Sequence, residues 1–222
     1  MITVVANLKG GSGKSTIVFN LSIWLLHRGK QIIAYDLDPQ CTLSDVARIR
    51  EEDEHQPVLT VHTTHTLDTD QLSGHTEEII IDVGAANMDA MQLAVGVADR
   101  VLIPVPPSQP DVWATQRFLQ MVKPGLQAPV RSEVLAFVNR ADTHRAVRES
   151  DEAEEALSGL ADINVVNKRI CNRTMYRRSM SEGLAVFELW PSCKAAKEFD
   201  DLACALYPHI AADEAEAERG VG

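Results

Sequence analysis

Leu8-Lys9-Gly10-Gly11-Ser12-Gly13-Lys14-Ser15-Thr16 joins an apolar run, Ile2-Thr3-Val4-Val5-Ala6, to a segment in which Ile17, Leu21, Trp24 and Leu25 recur at helical spacing. The order is strand, glycine loop, helix. Glycines at 10, 11 and 13 let backbone N–H groups turn inward onto an anion, and the following helix N-terminus adds its positive end. Lys14 supplies a point charge and Ser15 a hydroxyl for a Mg²⁺ ion. Such a loop is expected to hold the phosphates of a nucleotide through Gly10, Gly11, Ser12, Gly13, Lys14, Ser15 and Thr16.

The strict pattern GxxxxGK[ST] requires glycine where this chain has Leu8. What stands instead is Lys-Gly-Gly-x-Gly-Lys-Ser-Thr, with a second lysine, Lys9, near the start. On these residues the chain resembles the ParA/MinD family of P-loop ATPases, whose Walker A motif deviates in this way. The resemblance implies ATP and Mg²⁺ as cofactors. It also implies a role for Lys9 like that of an arginine finger, reaching across an ATP-dependent homodimer to the partner's nucleotide.

The match extends along the chain. Gln31 to Tyr35 reads as a buried strand ending in Asp36-Leu37-Asp38-Pro39-Gln40, which places two carboxylates past a strand's C-terminal end, where open α/β sheets bind ligands. In the family this motif is switch I: by resemblance Asp38 orients the attacking water and Asp36 supports the Mg²⁺ shell. Glu78-Ile79-Ile80-Ile81-Asp82-Val83-Gly84 looks like Walker B and switch II, with Asp82 on Mg²⁺ and Gly84 presenting a backbone N–H to the γ-phosphate. The strand Val134 to Arg140 ends in Asn139-Arg140, which matches the family's adenine-contacting pair, and an amide can serve both a donor and an acceptor of the base.

Composition narrows the class. Of 222 residues, 45% are hydrophobic and 24% charged, and no apolar run approaches the length that spans a bilayer. The first residues already form a strand, so no secretion signal is expected. Cys41, Cys171, Cys193 and Cys204 lack metal-ligand spacing, and His55, His62, His65 and His75 are irregularly placed, so neither zinc nor an iron–sulfur cluster is expected. A net charge of −11 restricts any nucleic-acid contact to a local patch. Lys168, Arg169, Arg173, Arg177 and Arg178 form one, in a stretch without acidic residues, with Lys194 and Lys197 as possible additions.

Elsewhere, Leu43, Val46 and Ala47 suggest a short helix, Glu51 to Glu54 an acidic turn, and Pro57 to His62 a strand. A prolyl strand exit at 104–107 precedes a helix over 111–121, and further helices are expected over 148–160 and 193–206. The expectation is one α/β domain over 1–210, a mainly parallel doubly wound sheet, and an acidic disordered tail over 211–222. The tail lacks the amphipathic basic helix by which MinD-type members hold membranes, and no helix-turn-helix precedes the first strand. The resemblance is therefore to short ParA-type ATPases: cytoplasmic, nucleoid-associated, binding DNA non-specifically as the ATP dimer, stimulated by a ParB-like or adaptor partner, and positioning a cargo without a membrane. The alternative is an ATP-dependent carboxylate ligase of the dethiobiotin synthetase kind, which needs a pocket for a small acid.

Overall fold

The computed structural model describes residues 1–72, 76–126, 132–144 and 147–212. The elements, in order, are β1 (Ile2–Asn7), α1 (Lys14–His27), β2 (Ile32–Asp36), α2 (Thr42–Glu52), β3 (Val61–Thr63), a 3-10 turn at Thr69–Leu72, β4 (Glu78–Gly84), α3 (Met88–Val97), β5 (Arg100–Val105) and α4 (Gln109–Leu126). The second half continues with β6 (Glu133–Ala141), α5 (Glu149–Ser158), β7 (Asn164–Val165), β8 (Ile170–Cys171), α6 (Thr174–Ser181), α7 (Val186–Leu189) and α8 (Lys194–Leu206). The strand order is β3-β2-β4-β1-β5-β6-β7, with β8 also paired to β6, and every pair is parallel.

Parallel sheets are covered on both faces, so their strands are apolar throughout. Along β1, Val5 joins one core layer with α1 and α8, whereas Val4 and Ala6 join the other with α3, α4 and α5. This is the period-2 alternation of a strand carried into two cores. Helix α1 is buried almost all round, from Ile17 to Leu25, because it lies on the central strands and is itself covered by α2 and α8. It stops where Lys30 N–H returns to Leu25 O at 3.1 Å and Gly29 N–H to Leu26 O at 3.0 Å, bonds that satisfy its last carbonyls.

The expected parallel doubly wound sheet is present, and several boundaries differ. The short helix around Leu43 runs to Glu52 and so takes in Glu51 and Glu52, leaving only Asp53 and Glu54 as the turn. Its inward face, Leu43, Val46, Ala47 and the buried Arg50, continues the helical spacing for one more turn. The strand expected over 57–62 is confined to Val61–Thr63, where it borders β2 at Ala34, Tyr35 and Asp36. The helix expected over 111–121 runs from Gln109 to Leu126. The basic stretch, read without structure, contains β8 and α6. Of the acidic tail, 213–222 lies outside the described residues.

Candidate nucleotide site

The C-terminal ends of β1, β2, β4 and β6 converge, and an open cleft of about 240 Å³ lies there. One wall is the glycine loop, through Gly10, Gly11, Gly13, Lys14, Ser15 and Thr16; the other is formed by Asp38, Gln40, Thr42, Ala85, Ala86 and Arg140. The position agrees with the general rule that ligands of open α/β sheets bind beyond the strand C-termini where the order of strands reverses. Here β1 is followed by β2, but β4 fills the slot between them.

Gly13 precedes α1 with φ 93°, a left-handed conformation that side chains with a Cβ rarely adopt, and a Cβ there would collide with the Asn139 amide. That amide donates from Nδ2 to the Ser12 carbonyl at 2.6 Å, and Asn139 is buried. Asn139, expected at the adenine, thus braces the phosphate loop, while its neighbour Arg140 is exposed, sits at φ 59° and lines the cleft. Lys14 is only 6% exposed and opens onto the cleft, so its ammonium is aimed rather than freely solvated.

Asp36 and Asp82 are register partners on neighbouring strands, and both are buried. Asp36 is engaged: one oxygen accepts the Asp38 N–H at 3.2 Å, the other the Ser44 N–H at 2.9 Å and the Ser44 hydroxyl at 2.7 Å. It therefore organises the loop that carries Asp38. Asp38 accepts the Gln40 N–H at 3.0 Å, and its carboxylate lies so close over Gly84 that a Cβ on Gly84 would strike it. Any side chain at 84 would have to displace the Asp38 carboxylate.

Asp82 is different. It has no exposed surface, and no hydrogen bond of good geometry reaches either carboxylate oxygen, although the Ser15 hydroxyl lies near enough to act on it. Burial pushes its pKa up to about 7; the Ser15 hydroxyl and Lys14 ammonium pull it down, and the carboxylates of Asp36 and Asp38 push it up. A buried carboxylate without a well-formed hydrogen bond, beside a hydroxyl and other hard oxygen donors, suits Mg²⁺, which takes oxygen ligands and keeps several waters. Ser15 and Asp82 are the residues that would hold it.

Several contributors escaped the sequence reading. Asn7 donates from Nδ2 to the Pro104 carbonyl at 2.9 Å and accepts the Lys9 N–H at 3.0 Å, tying β1 to β5 beneath the loop. Ser44, Gln40 and Thr42 also belong to the site, and only Gln40 carried a signal, as the end of the Asp-Pro-Gln run. Lys9 is not in the cleft wall: its ammonium lies 3.6 Å from Asp111 Oδ1 on the same chain. The basic stretch is divided by ion pairs. Arg169 binds Asp151 at 2.5 Å and also Glu154, and Arg173 binds Glu198 at 2.5 Å. Arg178 sits 5.3 Å above the Trp190 ring, and Lys168, Arg177, Lys194 and Lys197 are exposed.

The geometry has counterparts among known proteins. Residues 3–186 match the model described as the CobQ/CobB/MinD/ParA nucleotide binding domain. The chain is 28% identical over 199 residues to the maintenance of carboxysome distribution protein A of Halothiobacillus neapolitanus, covering 87% of this chain and 90% of that one. The apo McdA structure from Cyanothece superposes with a TM-score of 0.74 at 21% identity, over 92% of this chain and 98% of that one. A putative plasmid partition protein from Borrelia burgdorferi, bound to AMPPNP, gives 0.71 at 18% identity, over 94% and 98%. At such identities the two structures speak for the fold; the match over residues 3–186, together with the phosphate loop and the cleft it lines, makes this chain a member of the CobQ/CobB/MinD/ParA nucleotide-binding family.

Proposed function

We propose that this protein is a ParA-type ATPase that dimerises around ATP, binds DNA non-specifically in that state and positions a cargo, with hydrolysis stimulated by a partner protein. The observation that carries the reading is the second lysine, Lys9, standing at the mouth of a loop whose Lys14 already serves the site's own phosphates. A further lysine 45% exposed on its side chain, outside the cleft wall, fits a contact made to another chain's nucleotide. The similarity to a carboxysome-distribution protein over 90% of that relative's length supports a positioning role. The ligase alternative has no comparable support.

In this reading the loop amides from Gly10 to Ser15 and the Lys14 ammonium bind the β- and γ-phosphates. Asp38 orients and polarises the attacking water, and Gly84 directs its backbone N–H at the γ-phosphate. Mg²⁺, when bound by Ser15 and Asp82, neutralises charge on the phosphate oxygens. Arg140 faces the cleft where the base or ribose would lie. The DNA surface is drawn from Lys168, Arg177 and Arg178, with Lys194 and Lys197, since Arg169 and Arg173 are already paired. No helix among the described residues is long and apolar enough to cross a membrane. A cytoplasmic, nucleoid-bound protein is the setting this reading implies.

Light scattering tests the core of it. The parent should double its mass with ATP and Mg²⁺, and Lys9→Ala should retain nucleotide binding by calorimetry while remaining monomeric. A Lys9→Ala protein that dimerises normally overturns the trans role.

A further inference from the structure

Asp111 entered the sequence reading only as the start of an expected helix, with no functional role, yet it is the residue that Lys9 meets. The carboxylate side chain is 9% exposed and the lysine side chain 45%, so the anion is built into the fold and the cation is the movable member. Asp111 is fixed from several sides. The Ser108 hydroxyl donates to Oδ2, the Asp111 N–H returns to the Ser108 carbonyl at 3.0 Å, and the Thr115 hydroxyl donates to the Asp111 carbonyl at 3.0 Å. The backbone beneath the pair is fixed too, because Asn7 joins the Lys9 amide to the Pro104 carbonyl on the strand that leads into α4.

We propose that Asp111 is a positioning residue that holds Lys9 in cis in the single chain, so that the trans contact forms only when a partner's phosphates displace Asp111. This rests on the dimer reading above. An ammonium that kept its place 3.6 Å from Asp111 while reaching for the partner's nucleotide would bring a triphosphate toward a second fixed anion, and like charges brought together across an interface are costly. Lys9 must therefore leave. Each dimer breaks two such pairs, one per chain. Half-exposed ion pairs are individually weak, so two together shift the dimerisation constant by about three- to tenfold.

The test is sedimentation velocity with ATP and Mg²⁺ over a range of protein concentrations, on the parent, Asp111→Asn and Asp111→Glu. Asp111→Asn keeps an oxygen for Ser108 but removes the charge. It should reach half-dimer at about three- to tenfold lower protein concentration, by the same pair strength, whereas Asp111→Glu should stay near the parent. A residue with only a structural role would not strengthen the dimer when neutralised. An Asp111→Asn protein that is folded but dimerises at the parent's concentration or above overturns the proposal. Should that variant fail to fold, Ser108→Ala loosens the same carboxylate without deleting it and should shift the midpoint the same way by less; no shift counts against the proposal. A second measurement needs no dimer: thermal unfolding of Asp111→Asn, Lys9→Ala and the double variant without nucleotide. A cis pair makes the effects non-additive, and additive effects overturn it. A parent that stays monomeric in ATP overturns the dimer reading itself, and the unfolding cycle then still decides whether Asp111 holds Lys9.

Discussion

A buried carboxylate whose burial outweighs the pull of a nearby cation and hydroxyl destabilises the fold whenever it is charged, and Asp82 is such a group. Its pKa is raised from 3.8 to about 7, so between those values the folded chain keeps a proton that the unfolded chain has released. The unfolded state then binds fewer protons, and the stability of the nucleotide-free protein must fall as pH rises through that window. Asp82→Asn removes the titration. The variant should melt higher than the parent at pH 8 by on the order of 2 kcal/mol, or about 4–8 °C, and show a flatter pH profile between 5 and 8. The same variant should lose Mg²⁺-dependent nucleotide binding, since the oxygens that cost stability in the empty site are the ones that would hold the metal. A parent and variant with parallel pH profiles would refute this account of Asp82.

At the scale of elements, the loop carrying Asp38 is held from both ends. Its start is tied by Asp36 to Ser44 on α2, and α2 is in turn clamped to the chain between α6 and α7. The clamp is Arg50, fully buried. It donates to the Pro57 carbonyl at 2.7 Å, to the Gly183 carbonyl at 3.0 Å and to both oxygens of Glu188 at 2.8 Å. Glu188 also meets His27 and the Ala185 N–H, each at 2.8 Å, and these partners together hold its pKa below the usual carboxylate range against the opposing effect of burial. Removing one member of a buried pair strands the other, so Arg50→Ala should cost about 3 kcal/mol, or about 6–12 °C in Tm. The double variant Arg50→Ala, Glu188→Ala should cost less than the sum of the two singles. Additive losses would show that the pair acts only as separate packing groups.

Over the whole molecule, a chain of net charge −11 can meet DNA only where its cations are both gathered and unspent. The exposed Arg177 lies on α6 and the exposed Lys194 and Lys197 on α8, while Arg169 and Arg173 are neutralised by their carboxylate partners. One such patch is small, and an ATP dimer would present two on one body, which raises affinity by avidity without new contacts. Arg177→Glu combined with Arg178→Glu should abolish binding to non-specific duplex at moderate salt, with ATP-driven dimerisation intact by light scattering. The parent's affinity should fall steeply with salt and show little sequence preference. Binding that survives in the double variant would move the DNA surface elsewhere.

The phosphate loop was legible in the chain because its chemistry is local: glycines, a lysine and hydroxyls within nine residues, between a strand and a helix that periodicity alone reveals. The carboxylates after β2 and β4 were legible for the same reason, each at the end of an apolar run, and so was the parallel sheet, whose strands read as buried on both faces. What those residues touch was decided at long range. Asn139 reaches Ser12 across 127 positions, Lys9 meets Asp111 across 102, and Arg50 meets Glu188 across 138. Nothing in the local pattern separates the bound Arg169 from the exposed Arg177, since the partners of the first come from α5 and the second faces solvent. Arg50, in the last turn of α2, has its carboxylate partner far along the chain, and β3 meets β2 only at Ala34, Tyr35 and Asp36. Backbone period and loop chemistry are properties of neighbouring residues, readable one after another. Which charges are cancelled, which carboxylate is left bare and which lysine is held depend on distances that only the folded chain sets.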